Sequence, residues 1–221
     1  MISIVIPTKN AVETLAATLK TVSSDDEIVV VDGGSTDATV TLAQQMGAAV
    51  IASEPGRGRQ LALGAQKAKG PWLLFLHADT RLPSDWRDLA ESFIADPLNH
   101  KRASYFWLGF DDRSKGARRV AHWANIRAHS FGLPYGDQGL LIHKDFYEEV
   151  GGFKAEHSLM EDVDLVRRIG PMRLKRLHAT VITSAEKYRQ GGWWARPARN
   201  LLCLGLYLIG APKKWVERLY Q

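Results

Sequence analysis

The chain has 221 residues, which is enough for one well-buried α/β domain and too few for two ordinary ones. Its 45% hydrophobic and 24% charged residues are typical of a globular protein and exclude a disordered chain. The single cysteine, Cys203, excludes a disulfide framework within the chain and favours a reducing, cytoplasmic setting. The net charge of +5 suggests an anionic partner: nucleic acid, anionic lipid or a phosphorylated substrate.

Two apolar segments near the ends of the chain are candidates for a signal peptide or a membrane span. Residues 2–6 carry neither a basic region nor a cleavage site, so we expect a buried strand there and no signal peptide. Residues 201–209 have about half the length that a membrane span needs. We therefore expect no segment that crosses a bilayer.

The first eighty residues alternate between short β-branched runs and segments with helical spacing. Strands are predicted at residues 2–6, 27–31, 48–52 and 72–76. Helices are predicted from residue 12, around residue 40 with Ser35 or Thr36 as the cap, and over residues 60–69. This order predicts a parallel sheet covered by helices.

Polar clusters follow three of these strands, at residues 7–10, 32–37 and 77–79. Ligands of such sheets bind beyond the carboxyl ends of the strands. We therefore expect the three clusters to converge on one edge and to form a site.

The second half of the chain is less regular. Helices are predicted at residues 83–94, 117–129, 145–150 and 161–169, and strands at residues 105–110, 139–142 and 180–184. Mostly helical structure follows from residue 197. Because no repeat and no low-complexity linker is present, we predict one domain. Within it we expect a nucleotide-binding half (1–80), an acceptor and catalytic half (81–190) and a helical tail (191–221).

The carboxylates at the strand ends have two interpretations each. Asp32 and Asp37 either form an ordinary glycine turn with a helix cap or contact a nucleoside. Asp79 ends a very apolar strand, where a carboxylate needs a positive partner. A divalent cation on diphosphate oxygens meets that need, and the alternative is the cap of a turn. His77 is a second candidate metal ligand, although a lone histidine is more often a hydrogen-bonding partner.

A second acidic group, Glu161 and Asp162, begins a predicted helix. Carboxylates at the start of a helix interact favourably with the helix dipole, so these charges have a structural explanation too. A base that activates a hydroxyl must be a carboxylate or histidine within hydrogen-bond reach, and Asp162 is the candidate. Arg57, Arg59 and Gln60 lie at a helix start that suits a diphosphate, or else form a solvated basic loop.

Two further segments remain open. The loop with Tyr135, Asp137 and Gln138 either lines an acceptor site or is a simple turn. The tail interleaves basic and aromatic residues around 201–209, which suits an interfacial helix on anionic lipid. The same pattern suits a helix packed on the domain with its charges solvated, and packing is the interpretation we favour.

Five motifs in the same order resemble glycosyltransferase family 2, an inverting group with the GT-A fold. They are SIVIPTKN (3–10), VVDGGSTD (30–37), FLHAD (75–79), EEVGGF (148–153) and EDVDL (161–165). Each motif is weak singly, and together they cover about 160 residues, which makes the set specific. Residues 75–83 and the 56–60 loop also resemble a bacterial subgroup associated with radical-SAM and selenium-domain proteins.

The resemblance implies a single Rossmann-like GT-A domain with a mixed, mainly parallel sheet. It also implies a nucleotide-diphosphate sugar donor, a divalent metal (Mn²⁺ or Mg²⁺) at Asp79, and inversion with Asp162 as the base and Glu161 beside it. The expected donor-binding residues are Pro7, Thr8, Asn10, Asp32, Arg57, Arg59, Gln60 and Ala78. The acceptor is an unidentified hydroxyl compound.

Two departures from the family pattern concern the metal site. His77 stands where the family usually has the first acid of an Asp-x-Asp pair, which should weaken metal affinity. No metal-ligating histidine follows the strand at 180–184, where Ser184 stands instead.

Other functions fit less well. A nucleotidyltransferase is expected to have a glycine-rich loop after its first strand, and residues 7–10 offer none. A non-catalytic nucleotide-sugar-binding or membrane-associated protein gains support from His77 but leaves Glu161 and Asp162 unexplained. Nucleic-acid binding leaves the acidic strand ends unexplained, so we expect no nucleic-acid partner. We expect a cytoplasmic enzyme, peripheral at the inner face of the membrane if the tail meets lipid.

Overall fold

The computed structural model describes residues 1–22, 25–157 and 159–220, with the backbone alone at 213, 217 and 220. Within these residues eight strands form one sheet in the order β3-β2-β1-β4-β7-β6-β8-β5. The strands are β1 (Ile2–Thr8), β2 (Glu27–Asp32), β3 (Ala49–Ala52), β4 (Trp72–Phe75), β5 (Thr80–Arg81), β6 (Ala103–Phe110), β7 (Leu140–His143) and β8 (Leu174–Thr183).

Helices connect and cover the strands. They are α1 (Val12–Leu19), α2 (Thr39–Gln45), α3 (Arg57–Lys67), α4 (Trp86–Ala95), α5 (Lys115–Phe131), α6 (Lys144–Glu149), α7 (Glu161–Ile169), α8 (Glu186–Gly191), α9 (Ala195–Leu208) and α10 (Lys213–Tyr220). Short 3₁₀ turns lie at Pro97–Lys101, Gly136–Gln138 and Pro171–Arg173.

The sheet is mixed and mainly parallel, which confirms the predicted α/β fold. β1 pairs in parallel with β2 and β4, and β2 with β3. β7 lies antiparallel between β4 and β6, and β6 pairs in parallel with β8. The strands with polar ends therefore run in the same direction, and their carboxyl ends lie at one edge.

Both faces of the sheet are buried, which explains the continuous apolar runs of the central strands. Ile4 and Ile6 of β1 pack with Leu15 of α1, whereas Val5 between them packs with Leu61 of α3 on the other face. This alternation fixes the register of β1, because a slip by one residue would exchange the two faces.

Several predicted boundaries were wrong. α3 begins at Arg57, so the predicted basic loop is the first turn of the helix. β8 begins at Leu174, six residues before the predicted start at 180, and an irregularity opposite Tyr105 and Trp107 of β6 breaks its alternating pattern. α4 begins at Trp86 rather than at residue 83.

The predicted cap of α2 was also wrong. Neither Ser35 nor Thr36 caps the helix, because Asp37 takes that role: its Oδ1 accepts a hydrogen bond from Thr39 N at 3.0 Å. The Oδ2 atom of Asp37 accepts from Val12 N, the first residue of α1, at 3.3 Å. One exposed carboxylate therefore serves the starts of two helices, as the helix dipole favours.

Candidate active site

The ends of β1 and β2 form a tightly bonded corner. Thr8 Oγ1 donates to Asp32 Oδ1 at 3.1 Å, and Asp32 Oδ2 accepts from Gly34 N and Ser35 N at 3.0 and 2.8 Å. Asp32 is 5% exposed. Its carboxylate thus holds the glycine turn in place. A nucleoside that bound to Asp32 would form its hydrogen bonds in addition to these three.

Asn10 joins the loop after β1 to the loop after β2. Its backbone is left-handed at φ 49°, a conformation that asparagine tolerates better than most residues. Asn10 N donates to Ser35 Oγ, and Asn10 Oδ1 accepts from Thr36 N, both at 2.8 Å. The two loops therefore form one rigid rim at the strand ends.

Gln60 lies beneath this rim. Its buried Nε2 donates to the carbonyl oxygens of Thr8, the last residue of β1, and Val31, the next-to-last residue of β2, both at 2.8 Å. The structure gives Gln60 a supporting position; a direct donor contact stays a prediction. Pro7 pairs with Val31 in the register of β1 and β2.

The two predicted arginines have different surroundings. Arg57 Nη1 lies 3.3 Å from Glu161 Oε1, which connects α3 to the start of α7. Arg59 is half exposed and pairs instead with the exposed Glu54 at 3.5 Å. The structure therefore brings Arg57 to the acidic pair and leaves Arg59 outside that contact.

Glu161 is a buried carboxyl group at the start of α7. It is 1% exposed, and its Oε2 has no hydrogen-bond partner among the described residues. Burial raises the pKa of Glu161 to about 7, and the Arg57 guanidinium opposes that rise. Met160 before it is left-handed at φ 60°, a strained conformation for a residue with a Cβ.

Asp162 is more accessible than Glu161. Its Oδ2 accepts from Gly136 N at 2.7 Å and its Oδ1 from Val163 N at 2.8 Å. The first bond ties the start of α7 to the predicted acceptor loop. Asp164 points elsewhere, towards Arg168 at 2.6 Å, as expected for positions that share no helix face.

His77 packs directly on that loop. A Cβ added at Gly136 would lie 2.5 Å from His77 Nε2, so only glycine fits beside the ring. Burial lowers the pKa of His77 to about 4, with Arg57 the next cause, and the imidazole is neutral at pH 7. A ring that faces Gly136 through Nε2 is poorly placed to bind a metal through that atom.

Asp79 lies beyond β4 with two partners. Thr183 Oγ1 donates to its Oδ1 at 3.4 Å, and Lys187 Nζ of α8 lies 3.8 Å from its Oδ2. The neighbouring Ala78 accepts from Thr18 Oγ1 through its carbonyl oxygen at 2.9 Å. The contacts of the Asp79 carboxylate with Thr183 and Lys187 thus connect the end of β4 to β8 and α8.

The donor set around Asp79 fits a divalent cation only in combination with a substrate. Among the residues that the structure describes, no three His, Cys, Asp or Glu side chains lie together in a metal-binding cluster. Mg²⁺ in phosphate-handling sites is held by one or two carboxylates, with substrate phosphates and water as the other ligands. Asp79 can supply the one carboxylate, provided that Lys187 moves away from it.

The loop with Tyr135, Asp137 and Gln138 is held in place by α5. The Arg127 guanidinium lies 3.3 Å from the centre of the Tyr135 ring. Burial raises the pKa of Asp137 to about 6, against the effect of Arg127, and its Oδ1 is buried without a partner among the described residues. Gln138 is buried and donates to Phe106 O at 3.1 Å, so it anchors the loop to β6.

These elements enclose a pocket. His77, Tyr135, Gly136, Glu161 and Asp162 line it, with apolar residues of α3, β4 and α7 behind them. Its enclosed part holds about 20 Å³, enough for one water molecule. The enclosed space beside the acidic pair therefore has room for only about one water molecule.

Residues 3–127 match the family model described as glycosyl transferase family 2. The chain belongs to the family 2 glycosyltransferases. A PGL/p-HBAD biosynthesis glycosyltransferase of Mycobacterium tuberculosis is 39% identical over 213 aligned residues, which cover 85% of this chain and 77% of that protein. An uncharacterized glycosyltransferase of Rickettsia felis is 34% identical over 107 residues, covering 47% of this chain and 38% of that protein.

Solved structures of two other proteins have the same fold as this glycosyltransferase. Glucosyl-3-phosphoglycerate synthase from Mycobacterium tuberculosis, in complex with Mn²⁺, UDP-glucose and phosphoglyceric acid, has a TM-score of 0.66 at 18% identity, covering 96% of this chain and 80% of that chain. TarS 1-349 of S. aureus with UDP-GlcNAc has a TM-score of 0.61 at 12% identity, covering 99% and 70%. The finer resemblance to the radical-SAM-associated subgroup stays a prediction.

Sequence reasoning missed two cationic residues of the site. Lys187 follows β8, close to Ser184, where the family pattern has a metal-ligating histidine. The positive charge of Lys187 is the one sequence feature that could have indicated its contact with Asp79. Arg127 lies in the middle of α5, where no local pattern distinguishes it from the other basic residues of that helix.

Proposed function

We propose that this family 2 glycosyltransferase moves a sugar from a nucleotide-diphosphate sugar to an acceptor hydroxyl, with inversion at the anomeric carbon. The observation that carries the proposal is that the charged groups of Arg57, Asp79 and Asp162 all lie close enough to the His77 ring to shift its pKa. His77 and Asp162 also line the small pocket. The structural neighbours were solved in complex with UDP-glucose and UDP-GlcNAc, which supports a nucleotide-sugar donor.

Asp162 is the proposed base. It takes the proton of the acceptor hydroxyl, whose oxygen attacks the anomeric carbon while the bond to the diphosphate breaks on the opposite side. The bonds from Gly136 N and Val163 N hold both of its oxygens in place. Glu161 lies behind it as the anchor of Arg57, with a proton affinity that burial has increased.

The leaving diphosphate requires positive charge, and Arg57 is the residue that we propose to supply it. Its guanidinium lies at the N-terminus of α3, where the helix dipole also attracts anions. Asp79 would hold a divalent cation together with diphosphate oxygens, and such a cation stabilises the charge that develops on them. The nucleoside part is assigned to the rim formed by Thr8, Asn10 and Asp32.

Donor hydrolysis with a panel of nucleotide sugars, in the presence of manganese or magnesium, tests this function. We expect hydrolysis of at least one nucleotide-diphosphate sugar and its loss in Asp162→Asn. A protein that binds nucleotide sugars without hydrolysing or transferring any of them would be a binding protein, and the proposal would be wrong.

A further inference from the structure

The solvent side of α9 is apolar along its whole length. The exposed residues of this helix are Ala195, Ala198, Leu201, Leu202, Gly205 and Leu208. Ile209, directly after the helix, is 79% exposed. A helix on a protein surface normally turns charged and polar residues to the solvent, so this helix has the opposite arrangement.

The packing side of α9 is a different face. Cys203 and Leu204 are buried against Met160 and Val163 of the α7 region and against Val216 of α10. Tyr207 OH also donates to Asp164 Oδ1 at 3.3 Å. The two interpretations of the tail, packing and lipid contact, therefore describe two faces of the same helix.

Exposed tryptophans and basic residues lie before and after the apolar face of α9 in the chain. Trp194 and Trp215 are 73% and 63% exposed and lie before and after α9. Lys214 and Arg218 of α10 are exposed as well. The segment 192–220 contains one acidic residue, Glu217, and five basic residues: Arg196, Arg199, Lys213, Lys214 and Arg218. Tryptophan and basic side chains are the residues that proteins place at the headgroup level of a bilayer.

We propose that α9 and α10 dock this enzyme on the surface of an anionic bilayer, with the apolar face of α9 in the headgroup region. No helix of the described residues is both long and apolar enough to cross a membrane. At 14 residues α9 is about 21 Å long, which suits a helix lying in the plane of the interface. Because the opposite face of α9 packs on α7, docking would place α7 near the bilayer.

The charges favour lipid over a second copy of the chain. A symmetric dimer would bring the same patch of both subunits together and set basic residues against basic residues. An anionic bilayer instead receives the apolar face and neutralises the basic residues.

Co-sedimentation of the full chain with vesicles tests the proposal. We expect binding to vesicles of phosphatidylcholine with phosphatidylglycerol, and weak binding to pure phosphatidylcholine or at high salt. The double variant Leu201→Asp/Ile209→Asp should bind about tenfold less or weaker still, because two exposed apolar side chains are lost. Met172→Asp is the matched control, since Met172 is 87% exposed and lies outside α9 and α10; its binding should equal that of the wild type.

Three results would overturn the proposal. They are the absence of binding to anionic vesicles, equal binding by the double variant, or light scattering that shows a wild-type dimer and a monomeric double variant. In the last case a second copy of the chain, and not lipid, covers the apolar face of α9. The Asp79→Ala variant should bind vesicles like the wild type, so a failure of the proposed sugar transfer is distinguishable from a failure of docking.

Discussion

Arg57 Nη1 and Glu161 Oε1 lie 3.3 Å apart and join the first turn of α3 to the first turn of α7. The two residues are 104 positions apart in the chain. Gly58 next to Arg57 makes this approach possible, because a Cβ there would lie 2.4 Å from His157 O. The contact holds the start of α3 and the acidic pair of α7 at a fixed separation.

Loss of Arg57 should destabilise the fold through Glu161. Arg57→Ala leaves a buried carboxyl group without its ion-pair partner, and we expect a loss of about 1–3 kcal/mol in the free energy of unfolding. Arg57→Ala/Glu161→Gln should recover part of it. Urea unfolding of the wild type, both single variants and the double variant measures the coupling. Strictly additive losses would mean that the two side chains do not interact.

The stability of the enzyme should depend on pH through Glu161. Burial raises the pKa of Glu161 from 4.5 to about 7, so the folded state holds this proton more tightly than the unfolded state. The resulting stabilisation is complete below about pH 4.5 and is lost as the pH rises to about 7. Thermal unfolding of Glu161→Gln across this range should show a smaller decline than the wild type. Parallel curves for the two proteins would contradict the assignment.

A methyl group at Gly136 should disturb the site. Its Cβ would lie 2.5 Å from His77 Nε2, and we expect Gly136→Ala to cost about 1–3 kcal/mol and to reduce activity. Truncation of the ring in Gly136→Ala/His77→Ala should restore much of the stability. Denaturant midpoints of the wild type and of these two variants test this.

Gly205→Ala is the matched control, because no atom lies within 4 Å of the added Cβ on α9. This substitution should stabilise the protein by about 0.5–1 kcal/mol through helix propensity. An equal loss in Gly136→Ala and Gly205→Ala would show that the His77 contact is not the cause.

Asp162 should matter for transfer and not for donor binding. We expect Asp162→Asn to keep the affinity for the nucleotide sugar and to lower kcat by about 10²–10⁴-fold, the usual contribution of a general base. Asp164→Asn is the control on the same helix, since Asp164 pairs with Arg168 away from the pocket. Full turnover by Asp162→Asn would mean that another group takes the proton.

The sequence predicts the sheet edge well because local patterns determine it. β-Branched runs give β1, β2 and β4, the intervening helices make them parallel, and parallel strands place Thr8, Asp32 and Leu76 at one edge. The convergence of polar clusters there follows from topology alone.

The contacts between distant segments are not predictable in this way. The ion pairs Arg57–Glu161 and Lys187–Asp79 depend on how the helices pack on the sheet. The order of charged residues within one segment does not predict such long-range pairs. The cap of α2 was mispredicted for a local reason: Ser35 is engaged by Asp32 and Asn10, which leaves Asp37 to bond the helix start.

Calorimetric titration of UDP in the presence and absence of Mn²⁺ tests the proposed metal-binding role of Asp79, with the wild type, Asp79→Ala and the exposed control Asp85→Asn. We expect Mn²⁺ to strengthen UDP binding to the wild type and to Asp85→Asn. This gain in affinity, about tenfold or more, should disappear in Asp79→Ala. An undiminished gain from Mn²⁺ in Asp79→Ala would contradict the metal-binding role of Asp79.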